Sequence, residues 1–413
     1  MSTTATRGRV AVIGAGPAGM ATALSSHQAG HDVMLFERYA QARPAGNILN
    51  LWPPPIKALG LMGVDLEDFG APCRSSFRNV KGHVRAAINL PQEVIDQYGG
   101  GFIGLLRPEL YERLLAALPP GILQTNRAVE RIEQDRTGAR LYMADGEVVE
   151  ADVVVGADGI NSMVRKSLWG DEPIREHNLH IFGGFIYDAP VEAEPGLCVV
   201  SHDRVTQGAW TSIRRKGREG FQWWVLTAHD ASEKFTADLR DSAADLAAGF
   251  PVPLPQLIAA TAPENVQRWV LRDRPPLKQW STGRVTIVGD AAHPTSPYAA
   301  YGAGMSIEDG YFLGRALAGL DLSDHDKVSE ALTEFEAPRR PHTARHTQIA
   351  WALGKVFHHT PRPLRPVRDA IFDHTPLLQK MIGDSNPQEI LGQLGEIDEA
   401  EKRFRTTMNH PAT

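Results

Sequence analysis

Residues Val10–Arg38 read VAVIGAGPAGMATALSSHQAGHDVMLFER. The β-favouring run Val10–Ile13 leads straight into Gly14, Gly16 and Gly19 in G-x-G-x-x-G spacing, and a small-residue helical pattern continues to Ala29. The spacing predicts strand, tight turn and helix. The first glycine permits the turn, the second lets backbone approach a pyrophosphate, and the third lets helix and strand pack closely. Phosphates then sit at the positive end of the helix. Gly30 ends the helix, Val33–Phe36 form a second strand, and Glu37 stands where a carboxylate accepts both hydroxyl protons of an adenosine ribose.

Two later stretches repeat the theme of an apolar strand ending in an acid. Asp152–Arg165 carries Val153–Val155 into Asp158-Gly159, with Ser162 and Arg165 following. Gly283–His293 carries Val285–Val288 into Gly289-Asp290, then leads through Pro297 and Tyr298 to Gly302-Ala303-Gly304 and a helix to Leu317. Either alone is an ordinary strand-to-helix connection.

Length and charge narrow the setting. The 413 residues exceed one ordinary core, so a two-part architecture is expected. Lys plus Arg number 43 against 49 Asp plus Glu, with no long basic run, which argues against nucleic acid or an anionic membrane as the main partner. Cys73 and Cys198 are far apart, in no C-x-x-C pair, and fit a reducing compartment. No apolar run reaches the ~18 residues of a spanning helix, so a cytoplasmic protein is expected.

Elsewhere, Asp145-Gly146 signals a hairpin, and residues 176–280 concentrate Phe182, Phe185, Trp210, Phe221, Trp223 and Trp224 among β-like segments, with a helix from about Lys234 to Phe250. The organisation expected is α/β. A Rossmann-like dinucleotide-binding domain is drawn from residues 1–75, 105–175 and 281–345. A sheet domain comes from 76–104 and 176–280, and a helical C-terminal region from 346–413.

Taken in this order, Gly14-Gly16-Gly19, Asp158-Gly159 and Gly289-Asp290 resemble the single-component FAD-dependent aromatic hydroxylases related to p-hydroxybenzoate hydroxylase. The resemblance covers roughly the first 345 residues. It implies a FAD-binding domain of the glutathione-reductase type with an inserted substrate sheet. It also implies cofactor contacts from Gly14, Gly16, Ala18, Gly19, Glu37 and Arg38, from Arg107 and Val129, and from Asp290 on a ribityl hydroxyl. Asp158 and Arg165 would lie near the pyrophosphate and the nicotinamide approach, and Arg43 and Gly46 in a mobile loop beside the flavin. Gly302, Ala303 and Gly304 would open a helix whose positive end stabilises negative charge on the flavin pyrimidine ring. The family usually has Gly and Gln where this chain has Ala300 and Tyr301, and the added methyl limits backbone approach there.

The reaction so implied uses NAD(P)H to reduce FAD and O2 to form a flavin C4a-hydroperoxide, which hydroxylates an electron-rich aromatic or conjugated small molecule. With no second G-x-G-x-x-G, the nicotinamide nucleotide would dock transiently. Pro297, Tyr298 and Tyr301 are the expected pocket-lining catalytic-site residues, facing the aromatic-bearing sheet. The W-x-W-x-I-P motif of flavin halogenases is absent. A reductase of the same superfamily, or a non-catalytic FAD-bound protein that sequesters a ligand, are the alternatives. His342 and His346 at i, i+4 could present a metal face, but without a convincing third ligand a solvated helix is the expectation, and no metal is assigned. Residues 346–413 would cap the pocket or form a homodimer contact.

Overall fold

A computed structural model describes residues 8–42, 46–230, 232 and 237–409, without the side chain of Ala299. The chain begins with β1 (Arg9–Ile13), α1 (Pro17–Gln28) and β2 (Asp32–Phe36), followed by β3 (Ile48–Leu51) and α2 (Pro53–Leu61). Three successive prolines open α2, where missing N–H groups cost no hydrogen bond. Then come β4 (Ala71–Asn79), β5 (Val84–Ala87), α3 (Gln92–Tyr98), β6 (Phe102–Leu106) and α4 (Arg107–Ala117). The strands β7 (Leu123–Gln124), β8 (Val129–Gln134), β9 (Ala139–Met143), β10 (Val148–Ala151) and β11 (Val153–Gly156) precede α5 (Met163–Trp169).

The middle of the chain supplies β12 (Arg175–Tyr187), β13 (Leu197–His202), β14 (Thr206–Arg215), β15 (Arg218–Ala228), α6 (Leu239–Ala247), α7 (Leu254–Ala260) and β16 (Gln267–Asp273). The expected start of the helix at Lys234 lies outside the described residues. The chain closes with β17 (Ser281–Thr282), β18 (Val285–Ile287), α8 (Gly302–Leu317), α9 (His325–His358), α10 (Arg365–His374) and α11 (Ser385–Asn409). Among the described residues no helix is long and apolar enough to cross a membrane.

Three sheets result. The first has the order β17-β18-β11-β1-β2-β7 and is parallel except at β17. Its central strands β1, β11 and β18 are almost wholly buried, as a parallel sheet covered on both faces requires. Helices α1 and α8 pack against each other at close range, since a Cβ at Gly310 or Gly314 of α8 would stand 2.4 Å or 2.2 Å from atoms of α1. A small antiparallel sheet, β10-β9-β8, contains the Asp145-Gly146 hairpin.

The third sheet, β16-β12-β15-β14-β13-β4-β6-β3 with β5 on β4, has its two faces written in the pairing register. Val199, Trp210 and Trp223 neighbour one another on one face and pack with Ala243, Phe250 and Leu257 of the α6–α7 segment. Val200, Ala209 and Trp224 neighbour one another on the opposite face, which turns towards Tyr301 and Met305. Of the four aromatics Trp210, Phe221, Trp223 and Trp224, only Trp224 therefore faces the cofactor-binding part.

Four expected boundaries fall inside continuous elements, among them 104/105 within β6 and 175/176 within β12. Residue 75 lies within β4, and β3 hydrogen-bonds into the large sheet rather than the parallel one. Residue 345 lies within α9, a single 34-residue helix that runs through Pro338 and Pro341. The C-terminal region is clipped to the large sheet: Asp373 accepts from Asn79 Nδ2 at 2.9 Å and Arg85 Nε at 2.7 Å, and Gln379 brackets both backbone groups of Ala87.

Candidate active site

The register of the parallel sheet places its strand ends side by side: Ile13 is level with Phe36 and with Gly156, and Gly156 with Ile287. Gly14, Glu37, Asp158 and Asp290, which follow those ends, therefore gather at one carboxyl edge, the place where open α/β sheets bind ligands.

Gly14 has φ of 103°, and a Cβ there would lie 2.5 Å from the carbonyl oxygen of Ala157; a Cβ on Gly19 would lie 1.8 Å from Gly14 O. The turn is closed to any side chain, while Gly16 meets nothing nearer than Tyr111 Oη at 3.8 Å. No side chain caps α1, so its first N–H groups, at Ala18 and Gly19, stand at an open positive end. Glu37 Oε2 accepts from Ala15 N and Oε1 from Tyr39 N, each at 3.0 Å. A carboxylate has about four lone-pair positions, so two remain for a diol. Arg38 is exposed and stacks on Tyr39, and Val129 opens β8 half-buried. Arg43 lies outside the described residues.

Arg107, the first residue of α4, reaches Ile48 O from Nε at 3.4 Å beside Gly46. Its charge acts on Tyr111 and Asp290. Burial pushes the Tyr111 phenol to about 12, Arg107 opposing and Asp290 and Glu37 adding to the rise. Asp290 is exposed; desolvation raises its carboxyl, with His293 and Arg107 pulling the other way.

Asp158 spends Oδ2 on Met163 N (2.7 Å) at the start of α5, and desolvation raises its carboxyl against that bond. Arg165 is 2% exposed, and its guanidinium holds the carbonyls of Ala291 (3.3 Å) and Ala292 (3.0 Å) and the carboxylate of Glu172 (2.8 Å). It braces the segment that carries Asp290.

A buried ionic group missed in the sequence holds the same segment from behind. Asp309 of α8 accepts from Gly289 N at 2.9 Å, meets His293 Nε2 at 2.5 Å and binds Arg339 Nε of α9 at 2.9 Å. Burial would raise its carboxyl, but His293 and Arg339 hold it down at about 2. The adjacent acids Glu308 and Asp309 inside a largely apolar helix were the available signal.

Gly302, Ala303 and Gly304 form the uncapped first turn of α8. Just before it, Ala300 has φ of 49°, a left-handed conformation that a glycine adopts without strain. Pro297 is exposed. Tyr298 donates to Nε2 of His358, because His358 Nδ1 bonds Val205 O at 2.7 Å and so carries the ring proton. Tyr301 stacks on Trp52, centroids 4.4 Å apart, and its hydroxyl donates to Glu308 in the core behind α8. Burial raises both phenols well above their usual range. Both hydroxyls are thus engaged internally, while the ring of Tyr301 joins the apolar cluster with Val200 and Ala209 and that of Tyr298 packs against Leu179, Ile181 and Leu226 of the same sheet.

Facing that cluster, the sheet presents a polar row the sequence did not suggest. Trp224 Nε1 donates to Gln207 Oε1 at 2.8 Å, Gln207 Nε2 lies 2.9 Å from His202 Nε2, and His202 stacks on Phe357. Burial holds His202 far below its ordinary range, hence neutral, with its proton on Nδ1.

His342 and His346 depart from the expected solvated face. Their side chains are 9% and 10% exposed, and Glu389 of α11 stands 2.8 Å from His342 Nδ1 and 3.6 Å from His346 Nε2.

The residues present fit a flavin dinucleotide: a cradle that side chains would fill, an open helix terminus, and the nearly buried carboxylate of Glu37 and the exposed one of Asp290 along one edge. Comparison with known proteins agrees. A model described as FAD binding domain matches residues 106–350, and one described as pyridine nucleotide-disulphide oxidoreductase matches residues 8–111. The chain is 32% identical over 346 residues to 6-hydroxynicotinate 3-monooxygenase of Bordetella bronchiseptica, covering 80% of this chain and 88% of that protein. It is 31% identical over 375 residues to 3-amino-4-hydroxybenzoate 2-monooxygenase PtmB3 of Streptomyces platensis, covering 88% and 92%. The crystal structure of Klebsiella pneumoniae HpxO complexed with FAD and uric acid superposes with a TM-score of 0.80 at 24% identity, covering 94% and 99%. The fold and site are those of a FAD-binding oxidoreductase. Within that class the chain belongs to the FAD-binding-domain family that contains the single-component aromatic monooxygenases.

Proposed function

We propose that this protein is an NAD(P)H- and O2-dependent FAD monooxygenase that hydroxylates a small electron-rich aromatic ring. The observation that carries the reading is the convergence of Gly14, Glu37 and Asp290 at one sheet edge with the first turn of α8 and the inner face of the large sheet. When bound, FAD supplies hydride acceptance and oxygen activation. The chain supplies the rest. The α1 terminus holds the pyrophosphate, Glu37 the adenosine ribose and Asp290 the ribityl chain, while the N–H groups of Gly302–Gly304 favour negative charge on the flavin pyrimidine. Arg165 and Asp309 fix the turn that carries Asp290. The row Trp224, Gln207 and His202 orients the ring, and the Trp52–Tyr301 stack excludes water.

The relatives' names share a hydroxylated aromatic or heteroaromatic ring, which supports substrates of that class. The buried free thiols of Cys73 and Cys198 support a cytoplasmic setting, and a homodimer is compatible with the exposed apolar side chains of α10. The test is a panel of hydroxylated benzoates, nicotinates and related heterocycles scored for NAD(P)H oxidation, O2 uptake and incorporation of labelled oxygen. Ligand-stimulated NAD(P)H oxidation without labelled product across the panel would favour the reductase. No stimulation by any ligand would favour a sequestering protein.

A further inference from the structure

Three buried polar atoms behind Tyr301 lack a hydrogen-bond partner: His342 Nε2, His346 Nε2 and Glu308 Oε2. Two of them face each other across one side of His342, and the third faces Glu389. His342 and His346 sit one turn apart on α9 with ring centroids 4.9 Å apart, and Glu389, near the start of α11, presents Oε1 to both. The other oxygen of Glu389 meets Arg345 at 3.1 Å. On the far side of His342, Nε2 faces Glu308 Oε2 at 3.9 Å, an oxygen that is ion-paired with Arg339 at 3.1 Å but accepts no hydrogen bond.

As a hydrogen-bonded clasp the group is incomplete. With the proton on Nδ1, His342 satisfies Glu389 but turns a lone pair towards the carboxylate of Glu308, and His346 Nε2 is left 3.6 Å from its neighbour. A cation between Nδ1 of His342, Nε2 of His346 and Oε1 of Glu389, atoms that all lie within 4.8 Å of one another, gives His346 Nε2 a partner and removes the clash of lone pairs between His342 and Glu308. It takes the two ring nitrogens as ligands and moves the proton of His342 to Nε2, where it points at Glu308. Ligating histidines normally donate their second N–H to a carboxylate. Zinc–ligand bonds of about 2.0–2.1 Å set tetrahedral ligand separations of roughly 3.3 Å, and the two measured separations from Oε1, 2.8 and 3.6 Å, bracket that value.

We propose that His342, His346 and Glu389 form a binding site for a divalent transition-metal ion of the zinc type, clamping α9 to α11 behind the Trp52–Tyr301 stack. Its edge contacts, 5.1 Å between the rings of His346 and Tyr301 and 6.0 Å between those of His346 and Trp52, link it to the proposed flavin pocket. The site does not depend on the oxygenase reading.

The test is calorimetric titration of the FAD-loaded, chelator-treated enzyme with ZnCl2 in a buffer that does not bind metal. One Zn2+ should bind per chain and raise Tm, and Co2+ in its place should give d–d absorption at wavelengths beyond the flavin bands. Loss of an outer partner alone weakens metal sites 10–100-fold, so His346→Ala and Glu389→Gln should each weaken binding at least about 100-fold. Glu389→Gln keeps the side-chain shape and decides the matter if His346→Ala misfolds. Absence of one-site binding in the wild type overturns the proposal. So does unchanged affinity in Glu389→Gln, since the ion would then sit on surface histidines.

Discussion

The carboxylate of Asp309 accepts the backbone N–H of Gly289 at 2.9 Å while binding Arg339 on a different helix. The turn that presents Asp290 is thereby fixed by a charge neither solvated nor near the expected ligand atoms. Hydrogen bonds to charged groups contribute about 1.5–3 kcal/mol, so Asp309→Asn should lower Tm and reduce FAD content on purification. A variant with wild-type FAD content and Tm would remove Asp309 from this role.

Glu37→Ala should weaken FAD binding by about 1.5–3 kcal/mol, because two charge-assisted ribose bonds and the bond to Ala15 N are lost together. Fluorescence titration of the apoprotein with FAD measures it. Unchanged affinity would place the ribose elsewhere.

Arg165→Ala should reduce FAD retention and slow both flavin reduction and reoxidation, because its contacts brace Ala291 and Ala292. Stopped-flow absorbance separates the two half-reactions. A selective loss in reduction by NAD(P)H, with FAD content intact, would restore the nucleotide-docking role that the Asp-Gly motif suggests.

Ala300→Gly should raise stability by roughly 0.5–1 kcal/mol, since a non-glycine residue at φ of 49° costs about 1–2 kcal/mol, part of which the greater freedom of glycine in the unfolded chain offsets. Thermal unfolding checks it, and an unchanged or lower Tm would contradict it.

Glu109 is 3% exposed with both oxygens lacking hydrogen-bond partners, and desolvation pushes its carboxyl to about 7 despite Arg113 and Arg215. Between its unfolded pKa of about 4.3 and 7 the folded state binds the extra proton, so stability falls as pH rises through that window, by up to about 3 kcal/mol. Denaturant unfolding of the wild type and Glu109→Gln across this range should show the slope shrinking in the variant. Parallel pH profiles would refute the assignment.

The cofactor edge was legible because each of its parts is local: a strand, a glycine or acid at its end, and a helix start, all within about twenty residues of chain. What closes the site was not. Asp309, His293 and Arg339 meet only after α8 and α9 pack, and no spacing rule links an acid in one helix to an arginine in the next. Helix α9 continues through Pro338 and Pro341, its buried face at Phe335, Arg339, Thr343 and His346 outweighing the two lost intrahelical bonds. The engagement of Tyr298 by His358 joins residues sixty positions apart, which is why its hydroxyl looked available.

The single span of α9 makes it a ruler. Arg339, near its middle, grips the cofactor turn through Asp309, and His358, at its end, touches the substrate sheet through Val205. At 1.5 Å of rise per residue these grips are held roughly 28 Å apart along the axis. A helix resists stretching, so this rod sets the spacing between the sheet and the cofactor turn. An insertion within it would shift one grip against the other even where every binding residue is intact.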